Sequence, residues 1–426
     1  MRMSNKAKAI HMKPDGKPAL TPKLRFPEFR DAAGWEEETL SGVATVVMGS
    51  SPKSECYNQS QTGLPLLQGN ADIKNRLSAP RIFTSEITKE CTIGDILLSV
   101  RAPVGSVAKS IHHACIGRGI AAVRADQPNS QEFVYQWLLS YESRWGAISQ
   151  GGTFDAVNSD DLKGVAFAVP SPAEQQKIAK CLSSVDELIA AQARKADTLK
   201  THKKGLMQQL FPREGETKPR LRFPEFQDAT EWEEDRLIDI ATFRRGSFPQ
   251  PYGLPEWYDE ISGMPFVQVF DVGDSFRLKD KTKSKISKLG AEKSVFIPKG
   301  TLIVTLQGSI GRVAITHYDA YIDRTLLIFE TFKKSIEKVF FARLIQNLFD
   351  IEKEIAPGGI IKTITKESLS DFKVKLPTID EQQRIADCLT TLDDLIAAHT
   401  KKLEALKAHK NGLVQQLFPS PEKIES

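Results

Sequence analysis

The sequence predicts an α+β protein: two tandem mixed α/β domains, each followed by a long helix, with the two helices pairing as an antiparallel coiled coil about a pseudo-twofold axis. Three observations predict it. EQQKIAKCLSSVDELIAA at 174–191 returns as EQQRIADCLTTLDDLIAA at 381–398, identical at twelve of eighteen positions. An apolar stripe at helical spacing follows each EQQ, and short β-like runs punctuated by turn residues precede each one.

The chain has 426 residues, which exceeds one ordinary core and suits two domains. Hydrophobic residues make up 40% and charged residues 26%, a globular composition, and no apolar run approaches the roughly 20 residues that span a bilayer. Residues 1–23 carry Lys and Pro without the apolar core of a signal peptide and read as a flexible basic arm, so a cytoplasmic location is expected. Five cysteines, Cys56, Cys91, Cys115, Cys181 and Cys388, show no CxxC spacing, which argues against a disulfide framework or a zinc knuckle. The net charge of +4 does not by itself point to nucleic acid.

The elements follow in order. LRFPEF opens each copy, at 24–29 and 221–226, and is followed by Trp35-Glu36-Glu37 and Trp232-Glu233-Glu234. In the first domain, 24–170, strands are expected at Leu64–Gln68, Asp95–Val100, Ile120–Val123 and Val165–Val169, with a helix at Glu132–Tyr141. GDILLSVRAPVGSVA at 94–108 aligns with GTLIVTLQGSIGRVA at 300–314 in the second domain, 221–377. The offset between copies grows from 197 residues (24 to 221) to 207 (208 to 415), so the second copy has gained ten residues in its variable middle.

The helices occupy 171–212 and 378–419. Ser171 and Thr378 stand as N-caps, Pro172 at the first helical position, and Glu174 and Glu381 three residues after the caps, a capping-box spacing. Ile178, Leu182, Val185, Ile189, Leu199, Leu206 and Leu210 form the stripe. Phe211-Pro212 and Phe418-Pro419 end the helices, because proline donates no amide hydrogen bond and disfavours helix in the residue before it. A helix over 173–210 extends about 57 Å at 1.5 Å per residue. Such a stripe left alone would face water, so the copies are expected to pair with each other. Gly205 and Gly412 weaken the helix and allow a bend or a tight crossing. A charged linker, 213–220, joins the copies, and 420–426 is a tail.

No stretch matches a phosphate-binding loop, a zinc-protease helix, a nucleophile elbow, a dinucleotide turn or the Asn-Pro-Pro-aromatic stretch of amino-methyltransferases. His112-His113 reads as an exposed pair, and Asp160-Asp161 and Asp393-Asp394 as caps or helix surface. Recognition rather than catalysis is therefore expected.

LRFPEF followed by Trp, the GDILLSVRAPVG turn, the PSPAEQQKIA helix start and the QQLFP helix end, in tandem from about 24 to 419, resemble the specificity subunit of type I restriction-modification systems. The resemblance implies two target-recognition domains, each reading half of a split, asymmetric site on double-stranded DNA, with the helices setting the gap. It implies a non-catalytic chain without a cofactor of its own. Two modification subunits would supply S-adenosylmethionine and methylate adenine N6, and restriction subunits would add ATP- and Mg-dependent translocation and cleavage. Gln175, Gln176, Gln382 and Gln383 at the helix starts are then either docking surface for the modification subunits or ordinary solvated helix.

Major-groove readout favours Arg or Lys on guanine and Asn or Gln on adenine, carried on loops. Three loop pairs offer such groups: Gln68, Asn70 and Lys74 against Gln268 and Asp271; Arg101 against Gln307 and Ser309; Gln150 and Thr153 against Lys362 and Thr363. Arg118 and Arg324 recur between copies, as do Gly105 and Gly311, and recurrence points to scaffold or phosphate contact, since domains reading different half-sites must differ at base-reading positions. Trp257 and Tyr258, in a second-domain segment at 249–260 without counterpart, are either DNA-stacking groups or loop packing. Two rival readings remain, a coiled-coil adaptor with duplicated protein-binding domains and an autonomous nuclease.

Overall fold

The computed structural model describes residues 20–145, 156–213, 215–273, 275–355 and 369–419. The chain divides into two compact units, and the division cuts across the repeat. One unit runs to Ala193 and resumes at Lys401; the other spans Arg194–Thr400. Each unit therefore owns one α/β domain, the first half of the helix that follows it and the second half of the other helix.

In the first unit, LRFPEF makes a short 3-10 turn, Pro27–Phe29, that delivers Trp35 to the core. Strand Glu36–Thr39 then pairs antiparallel with Ala166–Val169, so the domain begins and ends on one two-stranded clasp. Between them lie a six-stranded sheet centred on Ile96–Ser99 and Ile120–Ala125 and a five-stranded sheet centred on Leu64–Leu67. Ile96–Ser99 is buried along its whole length, which explains why ILLS reads as a continuous apolar run rather than an alternation. Leu64–Leu67 pairs parallel with Ala114–Ile116. The helix Gln131–Tyr141 is capped by Ser130, whose hydroxyl accepts from the Phe133 amide.

The second unit repeats the plan: a clasp of Glu233–Arg236 with Lys373–Leu376, two four-stranded sheets, the parallel pair Met264–Val267 with Ala320–Ile322, and a longer helix, Lys338–Ile355. Its buried central strand, Leu302–Thr305, matches Ile96–Ser99. Gly105 and Gly311 recur for a packing reason. Both adopt positive φ, and a Cβ would collide with Trp145 in one unit and Phe349 in the other, at 2.5 and 2.6 Å.

The long helices are Pro172–Leu210 and Ile379–Leu417. In the first unit Ile178, Ala179 and Leu182 share a core with Leu413, Val414, Leu417 and Phe418, and Lys410 Nζ donates to both Asp186 oxygens at 2.7 and 2.8 Å. In the second unit Ile385, Ala386 and Leu389 share a core with Leu206, Met207, Leu210 and Phe211, and Lys203 Nζ donates to Asp393 at 2.5 Å. The start of each helix thus meets the end of the other, and the pair runs antiparallel.

Two local expectations are corrected. Glu174 and Glu381 do not complete capping boxes. Each carboxylate is buried and takes a two-pronged ion pair from the arginine of LRFPEF: Arg25 to Glu174 at 2.8 and 2.7 Å, Arg222 to Glu381 at 2.8 and 2.6 Å. The same arginines donate to the carbonyls of Ala32, Ala33, Ala229 and Thr230. Gly205 and Gly412 interrupt neither helix, and a Cβ at either position would enter open space, so no tight crossing requires them.

Candidate nucleic-acid interface

In the first domain, strand Leu64–Leu67 ends at Gln68, and the turn Asn70–Asp72 follows. The carboxylate of Asp72 is buried, accepts from the Gln68 backbone amide at 2.7 Å and takes an ion pair from Arg81 at 2.8 Å. That cap fixes the turn and leaves the Gln68 and Asn70 side chains part-exposed. Arg101 leaves the end of strand Ile96–Ser99, where its backbone bridges to Ala156. Arg118 sits between Gly117 and Gly119, both pressed against the Gln68 segment, so its exposed side chain emerges beside that turn.

The consequence is convergence. Gln68, Asn70, Arg101 and Arg118 line one open depression of about 550 Å³ together with Ser51, Ser54 and Tyr57. Gln68 and Asn70 also line an adjoining depression of about 420 Å³ with Arg81 and Pro103. Two guanidinium groups and two amides from three separate loops therefore share one face, a set that fits phosphate positioning together with base-edge hydrogen bonding. Lys74 lines neither depression; it stands exposed on the short strand Ile73–Lys74.

In the second domain, Gln268 caps the turn Val269–Asp271, and Asp271 plays the part that Asp72 plays in the first. Asp271 is 1% exposed and accepts from the backbone amides of Gln268 and Lys283, both at 2.9 Å, while burial pushes its carboxyl above the usual range. Asp271 is thus a scaffold group rather than a base reader: its oxygens are taken up inside the turn. The Gln268 side chain is part-exposed: its carbonyl end faces the Asp271 amide in the capping box, and its Nε2 donates to the Tyr252 hydroxyl at 2.7 Å. Arg324 is exposed and stacks over the same Tyr252 ring at 5.6 Å. Gln307 and Ser309 are exposed in the loop after strand Leu302–Thr305, and a Cβ placed on Gly308 between them would lie 3.5 Å from the Val269 side chain, so this loop abuts the Gln268 turn. The loops are the same as in the first domain, and the side chains differ. Trp257 is a buried loop anchor whose indole donates to the Pro251 carbonyl at 2.9 Å, which removes it as a stacking group. Tyr258 is half-buried beside Phe248. Gln150, Thr153, Lys362 and Thr363 lie outside the described residues.

At the helix starts the four glutamines separate into two kinds. Gln175 is 1% exposed: its Oε1 accepts from the Ser130 amide at 2.9 Å, and its Nε2 donates to Asn129 Oδ1 and the Pro170 carbonyl at 3.0 Å. Gln382 repeats the arrangement, accepting from the Glu337 amide and donating to the Pro377 and Ser335 carbonyls. Both are ties between the long helix and the helix of its own domain, and neither is docking surface. Gln176 and Gln383 are exposed. Sequence reasoning missed this tie and the Arg25–Glu174 and Arg222–Glu381 anchors. The available signal was that Arg25 and Arg222, Glu174 and Glu381, and Gln175 and Gln382 all recur between copies.

Among the described residues no cluster of His, Cys, Asp and Glu is arranged to hold a metal ion, and no helix is long and apolar enough to cross a membrane.

Comparison with known proteins gives a consistent picture. The family model of the type I restriction modification DNA specificity domain matches twice, at 33–201 and 229–408. The chain is similar to the type I restriction enzyme MjaIX specificity subunit of Methanocaldococcus jannaschii, 25% identical over 92% of this chain and 94% of the relative. It is 22% identical to the EcoBI specificity subunit of Escherichia coli over 90% and 84% of the two chains. A putative MjaX specificity subunit of M. jannaschii is 34% identical over a shorter stretch, 39% of each chain. In fold, the chain resembles the crystal structure of the type I system S subunit from M. genitalium, with a TM-score of 0.59 over 94% of this chain and 100% of that one at 18% identity.

Proposed function

This chain belongs to the type I restriction-modification DNA specificity family, and we propose that each of its two domains reads one half of a bipartite, asymmetric DNA site on behalf of catalytic partner subunits. One observation carries the reading: the same scaffold is built twice and presents different side chains from the same loops. The Asp72 and Asp271 turns, the Gly105 and Gly311 contacts and the Arg25 and Arg222 anchors are duplicated. Asn70 and Arg101 in the first domain are replaced by Gln307 and Ser309 in the second, whereas Gln68 and Arg118 recur as Gln268 and Arg324. A protein that bound two copies of one partner through these faces would need them alike.

The roles follow from side-chain chemistry. Arg118 and Arg324, shared between domains, hold phosphate; Asn70, Arg101, Gln307 and Ser309, which differ between domains, select bases, and the recurring Gln68 and Gln268 join them in different surroundings, since Tyr252 holds only the second, with Lys74 adding charge at the rim. Gln150, Thr153, Lys362 and Thr363 join them from the third loop pair. The antiparallel helices fix the unread gap, and half-sites about 34 to 36 Å apart per duplex turn bracket what helices of this length can hold. Gln176 and Gln383 belong to the exposed surface on which modification subunits dock. The chain is non-catalytic and acts in the cytoplasm; modification subunits bring S-adenosylmethionine and extrude the target adenine from the stack, and restriction subunits bring ATP-driven cleavage.

The test is long-read mapping of N6-methyladenine in a methylation-deficient host that expresses this chain, its modification partner, or both. A split motif with a fixed gap, present only with both proteins, is expected. Soluble, assembled proteins that yield no such motif would refute DNA reading and favour the adaptor alternative; methylation or cleavage by this chain alone would refute the non-catalytic role.

A further inference from the structure

We propose that Tyr252 is a positioning residue that holds Gln268 as an adenine reader in the second domain, an inference that rests on the DNA-reading function proposed above. Its loop has no counterpart in the first domain. The loop is anchored from below: Trp257 is buried with Phe248, Phe266 and Ile286, and Lys293 lies over its outer ring face at 5.1 Å. Phe248 packs against Tyr252 at 4.8 Å between ring centres. Tyr252 is nevertheless 48% exposed, so an aromatic group stands at the surface on a base that does not yield.

What that ring holds is informative. One of the two Nε2 hydrogens of Gln268 goes to the Tyr252 hydroxyl. The other hydrogen, and the lone pair of the carbonyl oxygen that the Asp271 amide of the capping box does not take, remain for a ligand, which is the donor and acceptor pair that reads adenine at N7 and N6. A free glutamine amide rotates about its last bond and presents either edge; the tyrosine bond selects one and removes the entropy that ordering would otherwise cost on binding. Arg324 stacks on the same ring, so one aromatic side chain steadies both the amide and the guanidinium assigned to phosphate. The first domain is a built-in contrast. Tyr57 lines the same depression as Gln68, yet its hydroxyl donates to the Pro52 carbonyl at 3.1 Å. The second domain therefore carries the pre-oriented amide.

The test selects bound sequences from a randomised duplex pool, using the full chain assembled with its modification subunit. The wild type is compared with Tyr252→Phe, which deletes only the hydroxyl, with Gln268→Ala, and with Arg101→Ala as a first-domain control. Gln268→Ala and Tyr252→Phe are expected to relax the same single adenine position in one half-site, Tyr252→Phe by about tenfold in discrimination, within the range for one bidentate contact. The half-site relaxed by Arg101→Ala should not change in either variant, and the melting temperature should not change for Tyr252→Phe. The proposal is overturned if Tyr252→Phe selects the wild-type motif with undiminished discrimination. It is also overturned if that variant weakens all sequences equally, or if Gln268→Ala relaxes a base other than adenine. A wild type that selects no split motif overturns the DNA-reading function and this inference with it, whereas a wild-type motif insensitive to Tyr252→Phe overturns the inference alone.

Discussion

Replacing Phe418 with alanine should unfold the first domain's surroundings while sparing the second, although Phe418 lies at the far end of the chain from that domain. The residue is 6% exposed and sits in the core of the first unit, its ring 5.5 Å from Phe133 and 6.3 Å from Trp35. Truncating a buried phenylalanine costs about 3 to 5 kcal/mol, which includes the cavity and the lost ring contacts. For a unit of roughly 200 residues each kcal/mol lowers Tm by about 2 to 4 °C, so a drop of about 6 to 20 °C is expected for the transition of that unit. Hydrogen exchange read by mass spectrometry resolves which unit suffers. Strands 44–48, 96–99 and 120–125 should lose protection, and strands 241–245, 302–305 and 326–332 should not. Phe211→Ala, at the matching end of the first helix, should give the opposite pattern, since Phe211 packs on Trp232 and Phe340. Equal loss in both units for either variant, or loss in the unit that the helix follows in sequence, would refute the crossed arrangement.

Gln175→Ala should cost about 2 to 4 kcal/mol, because the Ser130 amide and the Pro170 carbonyl lose their partner in a buried setting, whereas exposed Gln176→Ala should change urea stability by less than about 0.5 kcal/mol. Gly205→Ala and Gly412→Ala should each raise stability by up to about 1 kcal/mol, since both are helical with open space at Cβ; a loss on denaturant titration would reveal an unseen close contact. Burial pushes the Tyr135 phenol up to about 12. Its folded value is raised above the unfolded one near 10, so the stability it contributes is complete below pH 10 and is lost as pH rises through about 12. Denaturation across that window should show a fall that Tyr135→Phe removes.

Much of this fold is legible in the sequence because a duplicated chain is its own control. Ile96–Ser99 and Gln131–Tyr141 stand within a residue or so of where apolar runs and spacing put them, and the long helices begin after Ser171 and Thr378. The scaffold roles of Gly105 and Gly311 follow the rule that recurring positions support the fold. Spacing misleads where a side chain has two competing partners. Glu174 has the position for a capping box, yet a buried carboxylate is stabilised more by a two-pronged arginine than by one backbone amide, and Arg25 lies 149 residues away. Gln175 looks like helix surface until Ser130 and Asn129 close over it. Asp271 looks like a base-contacting loop residue from its sequence, and only the turn geometry shows that its oxygens are occupied. The first-domain convergence of Gln68, Asn70, Arg101 and Arg118 combines three loops that no local pattern relates.

The clasp strands at 36–39 and 166–169 bring the two ends of the first domain's variable stretch side by side, and those at 233–236 and 373–376 do the same in the second. A segment whose ends are already neighbours can be exchanged for another of different length with little added closure entropy, about 0.6 kcal/mol per doubling. The ten extra residues of the second copy fit this, since they lie between its clasp strands and leave the clasp pairing intact. Each clasp thus works as a socket: what lies between its strands can change in length and sequence while the arginine anchors, the glutamine ties and the helix ends keep the same packing.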